Sequence, residues 1–327
     1  MEQRRLGKTG RTVSAIGFGA WAIGGSWGSV DDAVSLRALH AAADAGVTLI
    51  DTADVYGDGR SERLIGRFML ERPGEAFFVA TKMGRSVPQV AANYTPEAFR
   101  AWVDGSRERL GVDRLDLVQL HCPPIEVYYR PDLFEALDAL VAEGSIAAYG
   151  VSVERVEEAL KAIEFPGVAT VQVIYNIVRQ RPADHLLAEA ARRDVGVLAR
   201  VPLASGLLSG KLTRETAFAP DDHRAFNRHG ESFDVGETFA GLDYETGLQL
   251  VEELRALVPP GATLAQLALR WILMAEAVTA AIPGAKTPDQ ARANAAAATL
   301  APLPAATMDR IRELYEERAK PLVHQRW

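Results

Sequence analysis

The sequence predicts a single α/β domain over residues 1–327, built as a (β/α)₈ barrel. Three observations lead there. One unit repeats along the chain: a short apolar run, a loop of polar residues, then a longer stretch with helical spacing and charged outer positions. The apolar runs are near-continuous instead of alternating, as strands buried on both faces must be. A chain of 327 residues matches one such barrel, and no Pro/Gly/Ser linker divides the alternation.

The first segment, Met1–Thr12, lies outside the pattern, and its Leu6-Gly7-Lys8-Thr9-Gly10 reads as a hairpin turn closing the barrel bottom. Strands are expected at Val13–Gly17, Val47–Asp51, Phe77–Thr81, Leu115–Leu120, Ile146–Val151, Ala169–Val173, Val195–Ala199 and Val278–Ile282. Between and after them, helical spacing covers Asp31–Ala45, Ser61–Leu70, Pro96–Leu110, Asp132–Glu143, Glu154–Glu164, Pro182–Arg193, Glu245–Leu257 with Thr263–Glu276, and Pro288–Ala298. Thr95-Pro96 and Thr287-Pro288 each supply an N-cap followed by proline at the first helical position. The polar segment Lys211–Asp243 after the seventh strand is too long for a simple connection and reads as a lid. Thr307–Arg318 reads as a further surface helix, followed by a tail, Pro321–Trp327, with no assigned role.

Composition excludes several functions. Lys plus Arg number 36 against 43 Asp plus Glu, so the surface should repel a phosphate backbone, and nucleic acid is not expected as a partner. The single cysteine, Cys122, forms no intrachain disulfide and builds no Cys-based metal centre; beside His121 it is expected to be small, buried and inert. No run of about 18 apolar residues occurs, and no apolar stretch follows the basic N-terminus, so a cytoplasmic protein without membrane partner is expected. The composition does not indicate an oligomeric state.

Polar residues end the apolar runs: Asp51, Lys82, His121, Ser152, Gln172 and Arg200, each one strand-helix unit after the last. In a (β/α)₈ barrel that phase puts all six on the C-terminal rim, where such barrels carry their chemistry. A phenol such as Tyr56 is a poor acid at neutral pH, but a nearby ammonium stabilises its phenolate, and Lys82 is the candidate. Asp51 would keep Lys82 charged, and a neutral His121 could donate to a carbonyl oxygen. Such a site activates carbonyls but cannot itself deliver hydride, so a redox cofactor is required.

These residues carry a resemblance. Asp51-Thr52-Ala53-Asp54-Val55-Tyr56-Gly57, Thr81-Lys82-Met83-Gly84, Leu120-His121-Cys122-Pro123, Gly150-Val151-Ser152, Val171-Gln172-Val173-Ile174-Tyr175-Asn176 and Ile282-Pro283-Gly284-Ala285 resemble, in order, the signature motifs of the aldo-keto reductases. The resemblance implies a barrel that binds NAD(P)H in extended form and reduces aldehydes or ketones. It implies Tyr56 as general acid, Lys82 and Asp51 as its partners, and His121 orienting the carbonyl. It also implies a cofactor site: Ser152 and Gln172 at the nicotinamide, with Asn176 nearby, and Arg200, Pro202, Leu203, Gly206, Leu207, Gly210 and Lys211 along the pyrophosphate. Gly19, Ala20, Trp21, Asp51 and Ile282 would lie beneath the cofactor, and Gly284, Lys286, Gln290 and Asn294 at the adenosine end.

This chain departs from many relatives at Val153, at Arg200 in place of a stacking tyrosine, and at Gly284-Ala285 and Gln290, where Lys-Ser and Arg are usual. Lys286 would attract a 2′-phosphate, so NADPH is favoured over NADH. Trp21, Trp27, Tyr56, Met83 and His121 would line the substrate pocket, with Tyr128 and Tyr129 on rim loops. The same barrel also resembles potassium-channel β subunits, which leaves a redox-sensing regulatory subunit with incidental turnover as the alternative.

Two other signals are set aside. Gly17-Phe18-Gly19-Ala20-Trp21-Ala22 fits G-x-G-x-x-A, but a Rossmann turn opens directly into a helix, whereas here loop continues to Asp31. A hydrolase-type metal site on His121 and Asp51 lacks partners, because there is no His-x-His and the remaining histidines fall on helices, loop or tail. No metal is expected.

Overall fold

The computed structural model describes every residue except Ser26 and Ser29. An antiparallel hairpin, β1 (Gln3–Arg5) and β2 (Thr12–Ser14), turns through Gly7–Thr9 and plugs one end of the barrel. Its Leu6 and Val13 join Leu49, Phe78, Ala80, Leu117, Leu198, Ala280 and Ile282 in a fully enclosed interior cluster. Eight parallel strands surround that cluster: β3 (Phe18–Gly19), β4 (Leu49–Asp51), β5 (Phe78–Met83), β6 (Leu117–His121), β7 (Tyr149–Ser152), β8 (Val168–Ile174), β9 (Gly196–Arg200) and β10 (Val278–Ala281). Each pairs with the next in sequence, and the ring closes where Gly17 N donates to Ala281 O (2.8 Å) and Gly19 N to Pro283 O (3.0 Å).

The first expected strand, Val13–Gly17, needs correction. Val13 and Ser14 pair antiparallel within the hairpin, and the first barrel strand is the short β3 that follows. One apolar run serves both elements because Val13 in the plug and Ile16 at the closure are equally buried. Hydropathy alone cannot divide it.

Closure also explains Gly19. A Cβ there would stand 2.6 Å from Ile282 O, a backbone atom that cannot yield. Gly19→Ala is expected to cost about 1–3 kcal/mol by overpacking the seam, read as a lower denaturation midpoint in the cofactor-free protein; unchanged stability would remove this account of the residue.

Helices cover the ring, and a second apolar cluster fills the layer between. Pro96–Leu110 has the expected bounds, and Thr95 Oγ1 accepts from Ala98 N. Two expected helices are shorter than read. Pro182–Arg193 divides into a turn, Arg181–Ala183, and a helix, Leu186–Arg192. Glu154–Glu164 forms only Val156–Ala162, because the Glu158 carboxylate accepts the N–H groups of both Glu154 and Arg155 (3.0 Å each). Glu154 is thereby left outside the helix. The lid contains three short turns, His223–Phe226, Val235–Glu237 and Phe239–Gly241. No described helix is long and apolar enough to cross a membrane.

Candidate active site

Strand residues alternate between the barrel interior and the helical layer. On β5, Phe78 and Ala80 face inward, and Lys82 follows them; Val79 and Met83 pack in the outer cluster. Met83 is fully buried there and contributes nothing to the mouth, so its expected place in the substrate pocket is corrected. Tyr128 is likewise enclosed in the outer cluster, whereas Tyr129 is exposed.

At the interior end of the strands the structure gathers Asp51, Lys82, Tyr56, His121 and Gln172. Lys82 Nζ donates to Asp51 Oδ2 (2.8 Å) and Thr52 O (2.7 Å), and reaches Tyr56 Oη at 3.3 Å. Gln172 Nε2 donates to the other carboxylate oxygen, Asp51 Oδ1 (2.7 Å). Tyr56 is carried by the turn after β4. A Cβ on Gly57, at φ +63°, would meet Gly24 O at 2.0 Å, so only glycine lets that turn settle against the one-turn helix Trp21–Gly24, which replaces the first part of the loop expected before Asp31. The Tyr56 ring lies between Trp21, stacked at 6.1 Å, and His121, edge-on at 5.9 Å.

Environment sets the protonation states. Burial pushes the Lys82 ammonium down, but Asp51 and Tyr56 together outweigh it and hold its pKa above the ordinary value. Burial raises the Tyr56 phenol, and Asp51 adds to this; Lys82 opposes both without reversing them. Lys82 does lower this pKa, as the ammonium was expected to, but burial outweighs it, so Tyr56 stays protonated at neutral pH. Burial, then Arg85, Lys82 and Arg200, hold His121 well below the usual imidazole range, and it is neutral.

A neighbouring carboxyl, Asp54, is driven up to about 7 by burial and by Glu62. The unfolded carboxyl titrates near 4, so the folded state binds the extra proton between about pH 4 and 7. Its contribution to stability therefore falls as pH rises through that window. Asp54→Asn should remove this slope, so that denaturation midpoints at pH 5 and pH 8 lie closer together than in the parent; an identical slope would assign the effect elsewhere.

A cavity of about 390 Å³ opens onto these groups, lined by Trp21, Val55, Tyr56, Arg85, Val87, Gln89, His121, Ser232, Phe233 and Glu237. Trp27, expected to line the substrate pocket, is not among the residues lining this cavity; it packs edge-on to Trp21 at 5.5 Å and lies 4.4 Å from the His223 ring. Arg85, Gln89 and the lid residues Phe233 and Glu237 were not singled out from sequence. Arg85 could have been found, since it directly follows Lys82-Met83-Gly84. Glu237 could not, because nothing in the lid sequence sets its conformation.

Arg200 is enclosed beside this cavity. Its Nη2 donates to Glu154 Oε2 (2.7 Å) and Val153 O (2.9 Å) and approaches Cys122 Sγ at 3.7 Å. Arg85 Nη2 donates to Glu237 Oε1 (2.7 Å) and Glu154 Oε1 (3.2 Å). Both guanidinium groups have a buried Nε without a partner among the described residues. Cys122, Glu154 and Glu237 are the one described trio with ligand atoms close enough for a metal, and Arg85 and Arg200 already hold its carboxylates. Cys122 is half-buried where full burial was expected, and desolvation of its thiol, reinforced by Glu154, keeps it protonated.

The remaining cofactor candidates lie along the mouth. Ser152 and Asn176 are enclosed, and Asn176 is committed to Val201 O (2.9 Å) and Val178 N (3.0 Å). The loop Pro202–Gly210 runs in left-handed turns at Ala204, Ser205, Gly206 and Gly210. The Leu207 side chain belongs to the core, leaving only its backbone for a ligand, and Leu203 is half-buried. Lys211 is exposed. Gly284 is exposed with its nearest would-be contact at 3.6 Å. Gln290 Oε1 accepts from Lys286 N (2.7 Å), and Asn294 Nδ2 donates to Gly284 O (3.1 Å). The Lys286 ammonium is half-buried on Trp27 O, with the lid residues Asp222 and Arg224 acting on it electrostatically.

Comparison with known proteins agrees with this architecture. A model of the aldo/keto reductase family matches residues 15–316, and the chain belongs to that family. It is 32% identical over 303 residues to the aldo-keto reductase YhdN of Bacillus subtilis (strain 168), covering 90% of this chain and 87% of that one. To the NADH-specific methylglyoxal reductase of Escherichia coli (strain K12) it is 30% identical over 320 residues, covering 91% and 93%. The crystal structure of the Klebsiella pneumoniae aldo-keto reductase in complex with NADPH matches with a TM-score of 0.70 at 25% identity, covering 96% of each chain. The protein is an oxidoreductase of the carbonyl-reducing class.

Proposed function

We propose that this protein reduces an aldehyde or ketone to the alcohol with NADPH, Tyr56 serving as the general acid. The observation that carries the reading is the Lys82 ammonium shared between Asp51 and the Tyr56 hydroxyl at the edge of the cavity. The mouth has features that suit the cofactor. Arg200 has a buried Nε without a partner among the described residues, Gly284 leaves its backbone open, and Lys286 offers a half-buried cation for a 2′-phosphate. When bound, the dihydronicotinamide supplies the hydride equivalent.

The chain's own groups do the rest. The substrate oxygen sits between Tyr56 Oη and His121; the neutral imidazole donates one hydrogen bond, and Tyr56 transfers its proton to that oxygen. Lys82 stabilises the phenolate that remains until solvent reprotonates it. Asp51 keeps Lys82 charged throughout. Gln172, which donates to Asp51 Oδ1, fixes the orientation of the carboxylate that holds Lys82. Arg200 replaces an aromatic platform with a planar cation held by Glu154 and Val153.

Mixing the purified protein with NADPH or NADH and a panel of aldehydes and ketones, with absorbance followed at the reduced-nicotinamide band, tests the reading. Turnover faster with NADPH at equal concentration supports it. Tight dinucleotide binding without turnover of any carbonyl would instead favour the redox-sensing subunit.

A further inference from the structure

The tail residue Trp327 is 4% exposed and lies under the lid, far along the chain from every group above. Its indole N–H donates to Asp234 Oδ1 (2.9 Å), and its ring lies 3.8 Å from the Arg179 guanidinium. Lid backbone rests on the other contacts of the ring: a Cβ on Gly236 would stand 2.8 Å from it, and one on Gly241 2.4 Å. Arg179, itself buried, donates to the lid at Ala240 O (3.1 Å) and to Glu154 O (3.4 Å).

From that anchor the lid reaches the mouth within three residues. Asp234 Oδ1 also accepts from Gly236 N (2.7 Å), setting the turn that carries Glu237. The Glu237 carboxylate accepts from Arg85 in the cavity wall, and its carbonyl accepts from Ser205 Oγ (3.0 Å) in the loop expected to follow the pyrophosphate. Ser205 Oγ in turn accepts from Phe239 N (3.1 Å). One short segment therefore touches the tail, the substrate cavity and the cofactor loop.

We infer that Trp327 is a positioning residue for the active-site mouth: it holds lid residues 234–241 so that Glu237 pairs with Arg85 and Ser205 is bridged to the lid. Removing the ring takes away one hydrogen bond and two cation–π contacts, with Arg179 and Arg326, and leaves Gly236 and Gly241 without a surface to rest on. The segment then opens more often, while the barrel and the Tyr56, Lys82 and Asp51 group stay in place.

Hydrogen exchange and kinetics on Trp327→Ala, Trp327→Phe and Asp234→Ala test this. In Trp327→Ala, backbone amides of 234–241 should exchange about tenfold faster than in the parent, with barrel strands unchanged. The kinetic arm rests on the carbonyl-reductase reading: KM for the carbonyl should rise about tenfold while kcat stays within about threefold. Trp327→Phe, which keeps a ring over Arg179, should return both exchange and KM most of the way to the parent values, and Asp234→Ala, which removes the acceptor of the indole N–H, should reproduce part of both effects and keeps the test open where Trp327→Ala does not fold. Unchanged exchange at 234–241 in any folded variant lacking the ring or its acceptor would overturn the inference, as would a unchanged KM in an active protein. A parent inactive on every carbonyl refutes the reductase reading alone, and exchange still decides the role of Trp327.

Discussion

Tyr56→Phe is expected to bind NADPH as the parent does and to lose about 100- to 10,000-fold in kcat for carbonyl reduction. The change deletes one oxygen, which lies 3.3 Å from Lys82 Nζ, and leaves the ring stacked on Trp21. Cofactor binding measured by fluorescence quenching separates the two effects, and equal turnover in the variant would defeat the assignment of Tyr56. The parent should show a characteristic pH dependence. With Tyr56 as the proposed general acid, the phenol would be the reactive form in the reducing direction, and burial raises its pKa above the ordinary value near 10. Reduction should therefore persist through neutral and mildly alkaline pH and decline only as that raised pKa is approached. His121 contributes no loss across neutral pH, because it stays neutral there.

The second large effect is expected from Lys82→Met. The ammonium is 1% exposed and holds Asp51, so its removal leaves a carboxylate enclosed with Gln172 as its remaining side-chain donor. Breaking a buried pair in this way costs about 3–5 kcal/mol of stability, and losing the phenolate's partner should cost about 100- to 1,000-fold in rate. Lys82 lowers the Tyr56 pKa against burial, so without it the alkaline decline should move to higher pH. Adding Asp51→Asn should recover part of the stability but none of the rate, because the stranded charge is gone while the phenolate is still unpaired. An unchanged rate and pH profile in the single variant would remove Lys82 from the chemistry.

Much of the barrel was legible because a strand buried on both faces must be continuously apolar and a covering helix must be amphipathic. The Pro96–Leu110 bounds follow from Thr95-Pro96, whose cap and fixed proline φ are local properties. Where two elements shared one apolar run, as Val13 and Ile16 do, sequence could not divide it, since burial of both is equal. Met83 was misplaced for a related reason. Residues at a strand end alternate faces, and hydropathy does not say which of Lys82 and Met83 turns inward once both are enclosed.

The strand-end positions of Asp51, Lys82, His121, Ser152, Gln172 and Arg200 were set by the sequence itself, because the strand-helix period brings each successive strand end to the same rim. Only the tertiary structure decided what closes that rim. Glu237 meets Arg85, Glu154 leaves its helix to hold Arg200, and Trp327 supports the lid across contacts that no local pattern encodes. Local propensity and periodicity are readable over a turn or a strand, whereas charge pairing across long separations depends on where folded loops bring the chain.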